Sequence, residues 1–498
     1  MSQALYEEAV MYGMPKMTGQ KSITGGLAAM FLAMAAQASA TEATRLLIQG
    51  IVISKDTTQN VACAAGVCTA TATNAVLNVA ELHQMLAHSN VTVSTGSLAQ
   101  DIEFNAPFKW INVHTLTLDA QRSIEIDRPI TIAGDGGLTL TTNDGGSTDG
   151  QLVFGHKGNV SFWSLTSPLT INGKPYTLVD DIATLASAIA KHPHRNYALA
   201  ASFTSTAGYY SASPIPTEFG GIFEGLGNTI SNFQIFDLNG TDDALFSALV
   251  KPGIIRNIGL VNVTITNSNS GGNGRPAGLA SYSEGKIIQA YVTGSISCDD
   301  RFFDCVAGGL VSLNYGNVYN SWTSVTIRGG ESAELGGLLG NNHGDVLNCF
   351  SNANVTGYSG AYEGGLIGYT IGYAAMKNNY ATGSVTGDGA YIGGLLGYVW
   401  EYSNAALNYA SVTESSGTYM GGLIGVDSQP NLFFHRSYWD TTTGPSQPSG
   451  FPSSDAGITG KSNAELKAGL PPGFDPTVWT QKPSINGGLP YLIVNPPQ

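Results

Sequence analysis

Between residues 41 and 175 apolar and polar side chains alternate in short bursts: Val91-Thr92-Val93-Ser94, Leu116-Thr117-Leu118, Ile124-Glu125-Ile126, Ile130-Thr131-Ile132 and Leu138-Thr139-Leu140. A period of two sends every second side chain to the same face, so each burst predicts a strand with one buried side. Asp, Asn and Gly separate the bursts, too closely for the helical crossovers of a βαβ sheet. Coiling the strands into stacked parallel sheets satisfies both backbone hydrogen bonding and burial. Two segments change period. Val76 to Ala87, with Leu77, Ala80, Leu82, Met85 and Leu86, and Leu178 to Ala190, with Ile182, Leu185, Ala186 and Ile189, predict short helices that cap or decorate the coils.

Downstream the pattern becomes a repeat. A Gly-Gly-Leu core ends at Leu310, Leu338, Leu366, Leu395 and Leu423, and its second glycines, Gly309, Gly337, Gly365, Gly394 and Gly422, are spaced 28, 28, 29 and 28 residues apart. A degenerate copy, Ala277-Gly278-Leu279, lies 31 residues before Gly309. An aromatic column, Tyr291, Trp322, Phe350, Tyr380, Tyr409 and Tyr438, advances in steps of 31, 28, 30, 29 and 29. Two features drifting together through insertions make each repeat one spatial unit, and stacking such units buries a continuous core. Paired glycines allow either a left-handed bend or a close approach of neighbouring backbones. The expected fold is therefore all-β, a parallel β-helix (β-solenoid) with short helical insertions. Its expected segments are a leader at 1–40, an N-terminal β-helix part at 41–175, a part with a short helix at 176–275, regular repeats at 276–445 and a C-terminal cap at 446–498.

Composition narrows the classes. The chain has 63 Gly and only 12% charged residues, with 22 Lys plus Arg against 36 Asp plus Glu for a net charge of −14. No Lys/Arg cluster exists to neutralise phosphates, which argues against a nucleic-acid or anionic-membrane partner. Lys21 is followed by the small and apolar run Ser22 to Ala36 and then Gln37-Ala38-Ser39-Ala40, the shape of an export signal cleaved after Ala40. No later apolar run is long enough for a membrane span. Cys63 with Cys68, and Cys298 with Cys305, read as local disulfide staples of an oxidising compartment. Cys349 is left as a buried free thiol.

The glycines are no phosphate cradle, because no Gly-Lys-Ser/Thr follows them. His192 and His194 flank Pro193, and His83 with His88 share the first helix, in each case without a third ligand. Neither a metal site nor a cofactor is expected. Two binding candidates stand out. The Cys298–Cys305 loop carries Phe302 and Phe303 beside Asp299, Asp300 and Asp304, its aromatic rings either offered to a partner or folded back onto the solenoid. Tyr362, Tyr391 and Tyr419, each two residues before a Gly-Gly pair, form either a ladder for sugar stacking or a packing column. The rival is a polysaccharide hydrolase or lyase built on Asp299, Asp300, Asp304, Glu331, Glu334 and Glu363. Hydrolysis needs two carboxyls about 5–10 Å apart across the scissile bond.

The Gly-Gly-Leu series, together with Tyr176-Thr177-Leu178-Val179, Phe219-Gly220-Gly221-Ile222-Phe223-Glu224-Gly225-Leu226-Gly227-Asn228, Ser437-Tyr438-Trp439-Asp440 and Gly473-Phe474-Asp475-Pro476-Thr477-Val478-Trp479, resembles the GLUG-motif proteins associated with filamentous-haemagglutinin-like bacterial adhesins. The resemblance covers roughly residues 70 to 495. It implies a right-handed β-helix, export to the cell surface or medium, an outer-membrane secretion partner, and attachment to a host-cell, matrix or glycan ligand. The Asn-Pro-x-Gly motif of such adhesins' secretion domain is not found here.

Overall fold

A computed structural model of the chain describes residues 50–497 except 147, 207, 239, 269–272, 299–303, 373, 401–403 and 431–433. The predicted leader and the candidates Asp299, Asp300, Phe302 and Phe303 lie outside the described residues. The rest is a parallel β-solenoid. In its N-terminal part Val67–Ala70, Val91–Ser94, Leu116–Asp119, Leu138–Thr141 and Leu169–Ile171 stack in parallel. Gly50–Ser54 pairs with both Ala75–Asn78 and Asp101–Phe104, and Ile124–Ile126 and Leu152–Phe154 extend that sheet. Phe108–Trp110, Ile130–Ile132 and Val160–Phe162 form a third face. The predicted alternation holds in each burst: Val91, Val93, Leu116, Leu118, Leu138 and Leu140 all point into the core. Cys63 and Cys68 are cross-strand partners in an antiparallel hairpin and form a disulfide.

The helices begin later than their periodicity suggested. Helix α1 is Val79–His88, because Val76 and Leu77 belong to the strand Ala75–Asn78; Asn78 caps the helix by accepting the Ala80 N–H. Helix α2 is Ile182–Lys191, because Leu178 and Val179 close the strand Lys174–Val179; Asp181 accepts the Thr184 N–H. In both cases apolar residues at the junction fit either period, and the polar cap decides where the helix starts. Both helices lay apolar faces on the core through Leu82 and Leu86, and through Ile182, Leu185 and Ile189.

Each regular coil has four strands, as in Val306–Gly308, Val311–Asn314, Asn317–Tyr319 and Trp322–Arg328, and the next begins at Glu334–Gly336. The paired glycines serve close approach rather than a left-handed bend. A Cβ at Gly309 would meet the Gly337 carbonyl oxygen, one at Gly337 that of Gly365, and one at Gly365 that of Gly394. A left-handed corner does recur elsewhere, at Asn320, Asn348 and Asn378, with φ of 50°, 56° and 57°. Asparagine tolerates that conformation, and here the amides link the coils: Asn348 donates to Asn320 and Asn378 to Asn348, each at 3.1 Å. Cys349 occupies the neighbouring buried column, where its N–H is accepted by Asn379 Oδ1. It is a free thiol whose pKa burial pushes up to about 12.

The aromatic column is in register from coil to coil, Tyr291 beside Trp322, then Phe350, Tyr380, Tyr409 and Tyr438. Its rings stack nearly parallel at 4.6, 5.5, 4.8 and 5.1 Å as far as Tyr409. They do not share the solenoid's interior cluster; they pack with Phe474, Trp479, Tyr491 and Leu492 from the C-terminal segment. That segment first continues the stack through Ser449–Phe451 and Ile458–Lys461, then forms helix α3, Asn463–Ala468, with a Ser462/Glu465 capping box. Beyond it the chain runs back along the column. Tyr438 donates its hydroxyl to the Pro472 carbonyl and Tyr409 to that of Pro490, while Asn495 donates to the Ser321 and Asn348 carbonyls.

Candidate functional site

The strands Glu334–Gly336, Tyr362–Gly364, Tyr391–Gly393 and Tyr419–Gly421 pair in parallel, placing Glu334, Tyr362, Tyr391 and Tyr419 in one row. Alternation sends the next residues inward, so Leu335, Glu363 and Ile392 have no exposed surface. The adjoining strands Leu339–Asn342, Ile367–Thr370 and Leu396–Val399 bury their first residues and turn Asn341, Tyr369 and Tyr398 outward in a second row.

The rows interlock. Tyr362 and Tyr391 lie 5.2 Å apart and Tyr391 stacks on Tyr419 at 5.5 Å. Tyr369 stacks on Tyr398 at 5.3 Å, and Tyr362 meets Tyr398 edge-on at 4.8 Å. Trp400 extends the second row from Tyr398, and Phe451 meets Tyr419 edge-on. The outer members stay open to solvent: Tyr419 is 38% exposed, Trp400 42% and Phe451 58%. A contiguous, solvent-facing aromatic surface is costly to keep unless something binds it.

At one end of this platform Glu334 accepts a 2.7 Å hydrogen bond from the Asn341 amide. Burial pushes its carboxyl up to about 7; the Asn341 bond opposes the shift and Asp304 adds to it. Tyr369 is pushed up to about 12, chiefly by burial and then by Glu334 and its tyrosine neighbours, so the phenol is neutral. The arrangement offers flat apolar ring faces for stacking, with a carboxyl and an amide beside them for hydrogen bonding.

The predicted carboxylate set does not assemble. Glu363 follows Tyr362 and therefore faces the opposite side of the sheet from the Tyr row and Glu334. It sits in the core between Leu335 and Ile392, in room left by Gly357 and Gly387. Neither of its oxygens makes a hydrogen bond of good geometry, and burial pushes its pKa up to about 9 despite the nearby Gly357 backbone. Glu331 and Asp304 are exposed. Cys298 and Cys305 form a disulfide whose Cα atoms are 6.5 Å apart, and both side chains are buried, so the staple anchors the base of its loop in the core. Among the described residues no group of three or more His, Cys, Asp or Glu could hold a metal ion. Sequence reading identified Tyr362, Tyr391 and Tyr419 but missed Tyr369, Tyr398, Trp400 and Phe451. Tyr369 and Tyr398 carry a legible signal, since each follows the third glycine of a Gly-Gly-Leu-x-Gly core.

No known family model matches the sequence, and no characterised protein matches it. Among solved structures, a Bacteroides ovatus chain described as a "putative immunoglobulin A1 protease" is similar, at 16% identity and a TM-score of 0.40, over 65% of this chain and 93% of that one. An overlap this loose carries no functional inference.

Proposed function

We propose that this chain is an exported surface protein of the adhesin type, related to the GLUG-motif proteins, which binds glycan along the tyrosine platform. The observation that carries this reading is the pair of in-register tyrosine rows left open on the outer face, with Glu334 and Asn341 at their end. Two disulfides fit an oxidising compartment outside the cytosol. No helix among the described residues is long and apolar enough to cross a membrane. The hydrolase or lyase reading is weaker, because Glu334 and Glu363 point to opposite faces and cannot flank one bond.

The test is a glycan and polysaccharide screen of the exported chain that records both retained ligand and newly formed reducing or unsaturated ends. Binding without new ends, weakened about tenfold by joint Tyr391→Ala and Tyr398→Ala substitution, is the expected result. New chain ends would select the enzyme, and unchanged binding by the double variant would remove the platform from the account.

A further inference from the structure

A second surface, on a different corner of the solenoid, has the opposite character. A groove of about 640 Å³ runs across the last coils and is lined by Lys377, Ala406, Leu407, His435, Arg436 and Tyr438, with Ala456, Gly457 and Thr459 as its far wall. Register explains its shape. Lys377, Ala406 and His435 are partners on three successive strands, so the single methyl of Ala406 leaves a trough between two long side chains. Lys377 and His435 are two coils apart, about 9.6 Å at the usual strand spacing.

Charge explains its chemistry. In a chain of net charge −14, Lys377 and Arg436 are exposed, and neither has a carboxylate at ion-pair distance among the described residues. Two carboxyls on the same or adjoining coils are engaged by backbone. Asp455 is buried and accepts the Gly457 N–H, and Asp345 accepts the Ala375 N–H. Arg436 also departs from its column. It takes the left-handed corner, at φ 49°, that asparagine fills at 320, 348 and 378. Its aliphatic stem lies against Gly473, where a Cβ would come within 2.6 Å of the Arg436 Cδ. The returning C-terminal segment thus packs along the Arg436 side chain, which also lines the groove.

We propose that this groove binds an acidic polysaccharide, with Lys377 and Arg436 engaging anionic groups about two coils apart. That separation is comparable to a disaccharide, and guanidinium and ammonium donors both pair with carboxylate or sulfate oxygens. The site is separate from the tyrosine platform and does not rest on it.

The experiment measures binding of the intact chain to immobilised heparin, polygalacturonate and neutral dextran, and to vesicles containing phosphatidylserine. Heparin or polygalacturonate is expected to bind, with affinity falling as NaCl rises. Measured in the Tyr391→Ala/Tyr398→Ala background, so that the platform does not contribute, affinity should fall about tenfold or more on adding Lys377→Gln and Arg436→Gln. Preference for heparin would identify sulfate as the recognised group, and preference for polygalacturonate would identify carboxylate. Because both side chains are exposed, the double variant should keep the wild-type melting temperature. In that background, equal binding to dextran, undiminished binding on adding the Lys377/Arg436 substitutions, absence of binding to both acidic polymers, or capture by vesicles alone would each overturn the proposal.

Discussion

Two aromatic arrays climb this solenoid by the same rule, and they end in different states. The column from Tyr291 to Tyr438 projects away from the interior cluster, as the platform tyrosines do, yet its rings at Trp322, Phe350, Tyr380 and Tyr409 are at most 8% exposed because residues 470–495 lie across them. Among the described residues the platform around Tyr391 and Tyr398 has no such cover, and its outer members at Trp400, Tyr419 and Phe451 face water. Coil-to-coil stacking is thus a property of the repeat and does not by itself mark function. The distinction lies in what the rest of the chain does with the outward rings: it seals one array and leaves the other free.

Removing the seal should have the largest effect. Truncation before Pro471 would expose the rings buried under Phe474, Trp479, Tyr491 and Leu492, side chains each worth about 1.5–3 kcal/mol. The last coils should then lose roughly 5 kcal/mol or more, read as lost hydrogen-exchange protection confined to coils beyond Tyr291. Protection that stays unchanged would mean the cover is incidental. Next in size is Tyr409→Ala, which deletes a fully buried ring and its hydroxyl contact to Pro490. It should cost about 3–5 kcal/mol in thermal or denaturant unfolding while leaving glycan binding intact.

The interior gives a third, pH-dependent effect. The folded Glu363 carboxyl holds its proton up to about pH 9, whereas an unperturbed one releases it near 4.5. Between those values the unfolded state binds fewer protons, so stability is complete below the window and is lost as pH rises through it, with a slope approaching about 1.4 kcal/mol per pH unit. Glu363→Gln should flatten that part of the profile. An unchanged slope would show that Glu363 is not the titrating group. Smallest in stability is the platform itself: Tyr391→Ala or Tyr398→Ala should each cost about 1 kcal/mol or less in unfolding.

How far the sequence could be read follows from the same contrast. The strands of the N-terminal part and the Gly-Gly and aromatic registers were legible because they repeat, and repetition fixes which residue lies above which. Helix starts were misplaced where Leu77 and Leu178 satisfied both periods. The returning segment was not legible, because residues 470–495 are rich in proline and have no periodicity; Phe474, Trp479 and Tyr491 acquire a role only once the column is known to face outward. In the platform, the row of Tyr362, Tyr391 and Tyr419 was legible. Trp400 and Phe451 were not, since each occurs once and owes its place to the packing of neighbouring coils. That Glu334 and Glu363 need not face the same way was legible from their offsets, two and one residues before their Gly-Gly pairs; full burial of Glu363 was not, because a carboxylate in a leucine column contradicts the usual pattern of burial.

The most direct measurement places the two arrays side by side: glycan affinity of Tyr409→Ala against that of Tyr391→Ala/Tyr398→Ala, each with its unfolding curve. The account predicts a destabilised first variant with wild-type affinity and a stable second variant with affinity reduced about tenfold. The reverse assignment, or equal loss of affinity in both, would contradict it.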